Sequence, residues 1–389
     1  MTIMFLVRSL DYGGAERQLV VLAKGLQSRG HDVIVALFYG GWAAEQELLA
    51  GGVRVVHLDK GGRWDIVRFA KRLLHTVWEE QPVVIHGYHG TPNLMTLLPK
   101  LFCSGVKIVW GIRCSNMDWR RYEWVVTPLA WVTAWLSQFA DAHIANSQAG
   151  LSCHVAMGYP AKKMVYIPNG VDTERFRPDR VLGNRVRTEW GIGAGELLIG
   201  LVARLDPMKG HTVFLEAAER LAKIDPKVKF VCVGDGPISY RTELHRDAQR
   251  LGLEKYVRWA GARADMPAVQ NALDLAVSCS VYGEGVSNAI SEAMACGVPC
   301  VVSDVGDSAW VVGPIGTIVP PNDPDKLAHA MAGMLTAPRP AASMIRQRIL
   351  DHLSLDTLVN TTEQALQAVI AGGMIEQAFL GKASVRTVR

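Results

Sequence analysis

The stretch "LLIGLVARLDPMKGHTVFLEAAERLAKI" (197–224) repeats the plan of "IMFLVRSLDYGGAERQLVVLAKGLQSRG" (3–30). Each opens on a short continuous apolar run, crosses a polar loop containing glycine, and ends in a segment with apolar residues three and four apart. Leu6, Val7, Leu10 and Asp11 match Leu201, Val202, Leu205 and Asp206. Leu19, Leu22, Ala23 and Leu26 recur as Phe214, Ala217, Ala218 and Leu221, one face of an amphipathic helix. An apolar run without alternation marks a strand covered on both faces, so each stretch predicts the strand, loop and helix of a parallel sheet. The chain therefore holds two similar halves.

Further short strands extend the pattern. They end in "IHGYHG" (85–90), "VWGIRCSN" (109–116) and "HIANS" (143–147) in the first half. In the second they end in "KFVCVGDGP" (229–237), "VRWAG" (257–261), "LAVSCS" (275–280) and "VPCVVSD" (298–304). Polar and glycine residues gather just after the strands, where open α/β sheets place their ligands. At 389 residues and 49% hydrophobic content the chain is long enough for two cores. Two doubly wound α/β domains facing across a cleft are expected, over residues 1–172 and 173–355, joined in "IPNGVDTERFRPD" (167–179). A helix over 356–376 is expected to return to the first domain, and the basic tail 377–389 to lack order.

Composition excludes several classes. A formal charge of +4, from 41 Lys+Arg against 37 Asp+Glu, is too small and dispersed for nucleic acid to be the main partner. Seven cysteines without a C-x-x-C pair or a secretory leader pattern point to a reduced, cytoplasmic protein. The apolar run "WVVTPLAWVTAWL" (124–136) contains a proline and falls short of the ~20 residues that span a bilayer.

The stretch "GEGVSNAISEAMACGVPC" (283–300) places Glu284 in a loop and Glu292 on a short helix over 288–295, with Ser287 as its expected cap and Gly297 and Pro299 at its end. A glycine-flanked loop entering a helix N-terminus offers free N–H groups to phosphate or sugar oxygens, whereas carboxylates accept from hydroxyls. Two carboxylates there fit either a ligand with hydroxyls on both sides of a phosphate, as in a nucleotide sugar, or a pair of solvated cap residues. Arg204 and Lys209 in "ARLDPMKG" could neutralise a diphosphate and stabilise it as it departs. Gly13 and Gly14 would let a ligand approach the first helix closely. His86, His89 and Arg113 follow strands of the first half and are candidates to line the cleft. Neither half carries G-x-G-x-x-G in its strand-to-helix turn, which disfavours a dinucleotide coenzyme. No group has metal-ligand spacing, and "DPD" (323–325) reads as a helix cap.

Taken together, "YGGAERQ", "HIANSQAG", "IPNGVDTERF", "VARLDPMKG", "VGDGP", "EGVSNAISEAMACGVPCVVSDVGDSAWVVG" and "GTIVPPNDPDKLA" resemble, in order, the motifs of a family 4 retaining glycosyltransferase of the GT-B fold. The resemblance covers nearly the whole chain and is closest to enzymes of exopolysaccharide, capsule and lipopolysaccharide synthesis. It implies transfer of a hexose or N-acetylhexosamine from a nucleotide sugar, with UDP the expected carrier, to a glycan or lipid-linked glycan. No resident cofactor and no metal is implied.

By resemblance, Glu284 would bind donor-sugar hydroxyls and Glu292 the ribose, with Gly285, Val286, Ser287 and Asn288 on sugar and phosphate oxygens. Arg204 and Lys209 would grip the diphosphate, Gly13 and Gly14 would close on it, and Gly234, Ala262 and Arg263 would lie toward the nucleotide. His86, His89, Arg113 and Asn146 would fall on the acceptor side, Arg113 standing where many members have histidine. The leaving phosphate would assist deprotonation of the acceptor, so no protein nucleophile is required. The same architecture without this motif series would fit a non-hydrolysing UDP-sugar epimerase, or a non-catalytic sugar- or nucleotide-binding regulator.

The segment 118–140 carries Trp119, Trp124, Trp131 and Trp135 beside Arg120 and Arg121. It fits either a membrane-surface helix or a core-facing stripe.

Overall fold

The computed structural model describes residues 1–11, 13–62, 64–88, 90–113 and 126–373, in two compact units. The first holds the described chain up to Gly170 and again from Leu355; the second runs from Val171 to Ser354.

The first unit is built on seven strands: β1 (Thr2–Val7), β2 (Asp32–Leu37), β3 (Arg54–His57), β4 (Val84–Tyr88), β5 (Lys107–Ile112), β6 (Ala142–Ala145) and β7 (Met164–Tyr166). All pair in parallel in the order β3-β2-β1-β4-β5-β6-β7, with Ile3 opposite both Val33 and Val84. The side chains of β1 alternate between two cores. Ile3, Phe5 and Val7 pack with Leu19, Leu22, Leu26 and Leu366, whereas Met4 and Leu6 pack with Phe69, Leu73 and Val77. Helices thus cover both faces, which is why β1 is apolar at nearly every position.

The helix that closes this unit is Leu355–Ile370, shorter than the span read from sequence. It lies close against the helix Gly14–Ser28: a Cβ on Gly25 would stand 2.4 Å from Val359 Cγ2. Residues 374–389, including the tail expected to lack order, lie outside the described residues.

The second unit repeats the plan with β8 (Leu197–Val202), β9 (Val228–Val233), β10 (Val257–Gly261), β11 (Leu275–Ser278), β12 (Cys300–Ser303) and β13 (Thr317–Val319). The order is β10-β9-β8-β11-β12-β13, again parallel throughout. Phe214, Ala217, Ala218 and Leu221, the face matched to the first half, are all buried in the helix His211–Ile224. Each unit is a Rossmann-like sheet whose strand order reverses once, between β1 and β4 and between β8 and β11.

One local reading is corrected, and one of two open alternatives is removed. Ser287 precedes the helix Asn288–Ala295, but its side chain makes no capping hydrogen bond; instead the Ser291 hydroxyl donates to the Ser287 carbonyl at 3.0 Å. The tryptophan stripe is not core-facing where it is described, since Trp131 and Trp135 are 69% and 62% exposed. Trp119, Trp124, Arg120 and Arg121 lie outside the described residues. Asp323 does cap the helix Pro324–Thr336, its carboxylate accepting from the Lys326 N–H.

Candidate functional site

In the second unit the residues singled out by sequence converge at the carboxyl ends of the strands, around the switch between β8 and β11. The chain leaving β8 reaches Asp206, whose carboxylate accepts from the Met208 N–H at 3.0 Å and tightens one short turn. Gly210 then adopts φ +68° with its α-carbon against the Cys279 carbonyl, where a Cβ would stand at 2.1 Å. That approach requires glycine. It aims Lys209 toward the loop after β11, and the Val281 N–H donating to the Met208 carbonyl at 2.9 Å joins the two loops.

Lys209 Nζ donates to Glu284 Oε2 at 2.6 Å, and the Ser280 hydroxyl donates to the same oxygen at 2.7 Å. The Ser303 hydroxyl fixes Ser280 in turn by donating to its carbonyl at 2.6 Å. Burial pushes the Glu284 carboxyl up, but the Lys209 charge and hydrogen bonds from Lys209, Ser280 and the Gly285 N–H outweigh it, so its pKa lies below the ordinary value. Gly306, at φ +61°, lets a second loop close on the Glu284 carbonyl, where a Cβ would stand at 2.1 Å. Beside it, the Asp307 N–H donates to the Gly285 carbonyl. The backbone of Gly285, Val286, Ser287 and Asn288 therefore enters the helix Asn288–Ala295 from a braced loop, with Glu292 almost buried on that helix.

Arg204 lies after β8 too, but its guanidinium is mostly exposed and paired with Asp206 at 2.8 Å. Gly234, at φ +140°, packs on the Ala203 carbonyl and brings the loop after β9 alongside. Beyond it, Ala262 is exposed after β10. The Arg263 side chain is committed to Asp265 at 2.8 Å and Glu189 at 2.6 Å, which raise its pKa. His211 was not singled out by sequence. It opens the helix His211–Ile224 fully buried, and burial with the Lys209 charge lowers its pKa to about 4. Ser280, Ser303, Asp206 and Gly306 were also missed; only the position of Ser280 after an apolar strand hinted at its role.

In the first unit, Gly13 and Gly14 stand at the start of the helix Gly14–Ser28, with the Glu16 side chain folded back over Gly13. His86 lies within β4 and Arg113 just after β5, while Asn146 follows β6 and donates to Asn169 Oδ1 at 3.4 Å. His86 is completely buried, and burial together with the Arg113 charge holds its pKa well below the ordinary histidine value. His89 lies outside the described residues. No group of three His, Cys, Asp or Glu side chains that could hold a metal occurs among the described residues.

A buried carboxylate, a paired lysine and a loop entering a helix N-terminus at a switch point have the chemistry to accept from hydroxyls and to hold an anion. Residues 196–337 match the family model described as glycosyl transferases group 1, and residues 12–175 that of glycosyltransferase family 4. The chain is similar to the GDP-mannose-dependent alpha-(1-6)-phosphatidylinositol monomannoside mannosyltransferase of Mycolicibacterium smegmatis, at 34% identity over 56% of this chain and 58% of that one. It is also similar to the Escherichia coli UDP-Gal:alpha-D-GlcNAc-diphosphoundecaprenol alpha-1,3-galactosyltransferase, at 32% identity over 43% of this chain and 44% of that one. These matches span about half the length of each relative. Among solved structures, Anabaena Alr3699/HepE in complex with UDP and glucose superposes with a TM-score of 0.84 at 25% identity, covering 95% of this chain and all of that one. With both halves of the chain matched and two Rossmann-like units on one polypeptide, the protein belongs to the group 1, family 4 glycosyltransferases and has the GT-B fold.

Proposed function

We propose that this glycosyltransferase is a retaining enzyme that moves a hexose or N-acetylhexosamine from a UDP-sugar to a hydroxyl of a glycan or lipid-linked glycan. The observation that carries this reading is the buried Lys209–Glu284 pair at the β8/β11 switch. It holds an ammonium beside a glycine-containing loop that enters a helix N-terminus, for the diphosphate, and a carboxylate kept ionised for sugar hydroxyls. UDP as carrier is supported by the structural neighbour bound to UDP and glucose. An acceptor on a lipid diphosphate is supported by the galactosyltransferase relative.

Arg204 and Lys209 would stabilise the charge that develops on the departing diphosphate, and the leaving phosphate oxygen would accept the acceptor proton on the same face of the sugar. Glu284 would orient the sugar and Glu292 the ribose, and no metal would be needed. The test is turnover of UDP-glucose, UDP-N-acetylglucosamine and GDP-mannose with and without EDTA, and the anomeric proton coupling of the product. An inverted anomeric centre, or complete loss of activity in EDTA, would overturn the mechanism.

Association with the cytoplasmic membrane surface is part of the same proposal. None of the described helices is long and apolar enough to cross a membrane. The helices Ile66–Glu80 and Val126–Leu136 pack against one face of the first sheet through Phe69, Leu73, Val77 and Ala134. Outward they show Trp78, Trp131 and Trp135, with Trp64 just before the first helix, all more than half exposed, and Arg68, Lys71 and Arg72 near Trp64. Aromatic rings beside cations suit an anionic lipid interface. Vesicle sedimentation should show binding to phosphatidylglycerol that weakens with salt; no binding would remove this part.

A further inference from the structure

The ends of β4 and β5 hold polar groups without partners among the described residues. The Arg113 guanidinium carbon lies 4.1 Å from the centroid of the Tyr88 ring, so the ring covers one face of the cation. Arg113 Nε and the Tyr88 hydroxyl are buried, and neither has a hydrogen-bond partner among the described residues. The same holds for both ring nitrogens of His86 and for Asn93 Oδ1. Gly111 keeps these groups together, since a Cβ there would stand 3.2 Å from His86 Nε2 and 3.4 Å from Arg113 Nε. Glu16 acts on Tyr88 through space, but no carboxylate pairs with Arg113 among the described residues.

A guanidinium withdrawn from water without an acid is costly, and each unmade hydrogen bond adds to that cost. Arg113 is nonetheless only half-buried, so a ligand can reach it. The cluster also sits where doubly wound sheets bind ligands. The guanidinium Nε–H and the Tyr88 O–H are two unmade donors, one of them on a cation, and fit a group that only accepts. We propose that Arg113 and Tyr88 form an oxyanion subsite, so that the acceptor carries a phosphate or carboxylate group. This rests on the reading of the first unit as the acceptor side. The fork of the guanidinium takes two oxygens of the anion, and the Tyr88 hydroxyl donates to one of them.

The test is calorimetry on the full chain saturated with UDP, which keeps other anions out of the donor pocket. The titrants are N-acetylglucosamine 1-phosphate, glucuronic acid and methyl glucoside. At least one anion should bind, with affinity falling at least tenfold in Arg113→Gln and less in Arg113→Lys, as expected for a charge-assisted hydrogen bond. Tyr88→Phe should weaken the same anion, and methyl glucoside should respond to none of the variants. Binding of the phosphate alone assigns a phosphate-linked acceptor; binding of glucuronic acid alone assigns a uronic-acid glycan. Arg113→Gln should also melt no lower than wild type, which a purely structural arginine would not allow. Equal binding to wild type and Arg113→Gln, or no anion binding below about 10 mM, overturns the proposal. If Arg113→Gln fails to fold, unchanged anion affinity in Tyr88→Phe overturns it instead. Failure of UDP itself to bind is a separate result and counts against the donor assignment.

Discussion

Replacing Lys209 with methionine removes the cation facing Glu284 while keeping an unbranched stem. The Glu284 side chain is 9% exposed and that of Lys209 20%, so the pair is largely out of water. Deleting one partner of a buried pair costs about 3–5 kcal/mol. Here the Ser280 and Gly285 hydrogen bonds remain, and the lysine is partly solvated, so about 2–3 kcal/mol is expected.

The pH dependence carries a definite sign. In the wild type the folded carboxyl sits below its reference value of 4.5, so it contributes stability above pH 4.5 that is lost as pH falls through the folded pKa. Without Lys209, burial is no longer opposed by a cation, though the Ser280 and Gly285 hydrogen bonds remain. The folded pKa should then rise above the reference, and stability should fall as pH rises through the carboxylate range. The difference between the two proteins is therefore greatest near neutral pH and shrinks below pH 4.5. Glu284→Gln added to the methionine variant should restore more than half of the loss, because it removes the uncompensated charge. Urea unfolding across this range gives these quantities, and turnover of the nucleotide sugar should fall by about 10²–10³-fold. A variant within about 0.5 kcal/mol of wild type at neutral pH, with normal turnover, would refute both parts.

Three further outcomes follow from the geometry. Arg204→Ala should cost less than about 1 kcal/mol of stability, since its ion pair with Asp206 is exposed, yet lower turnover by about 10²–10³-fold; normal turnover in folded protein would remove Arg204 from the chemistry. Gly306→Ala puts a Cβ 2.1 Å from the Glu284 carbonyl at φ +61°, and should lower stability by about 2–4 kcal/mol in chemical denaturation while displacing Glu284. In native protein at neutral pH, alkylation followed by mass spectrometry should label Cys103. Cys232, Cys279 and Cys300 should stay unlabelled, because they are buried and burial pushes their thiols up, Cys279 to about 12.

Much of the fold was legible because apolar runs in parallel strands are unambiguous when they repeat. The matched faces of the two halves lie in helices that cover the two sheets. Glu284, Glu292, Arg204 and Lys209 could be singled out because charged residues after strands in glycine-rich loops are conspicuous. Their pairings could not be read. Nothing in the spacing shows that Gly210 must accept positive φ against Cys279, and that contact aims Lys209 at Glu284 across 75 positions of sequence. The aromatic stripe was ambiguous for a related reason. A period of three to four places Trp131 and Trp135 on one side of a helix but does not say whether that side meets the sheet or the solvent. His86 and Arg113 could be singled out by their place near strand ends, but spacing does not show that Tyr88 joins them, nor that buried polar atoms on all three have no partner among the described residues.

Calorimetric binding of UDP, GDP and ADP to the wild type and to Glu292→Ala, with both confirmed folded, tests most directly that the second unit is a nucleotide-sugar site. Tight binding of UDP, weakened at least tenfold in the variant, is the predicted result, as one charged hydrogen bond to the ribose is lost. Binding of none of the three, or equal UDP binding by both proteins, would contradict it.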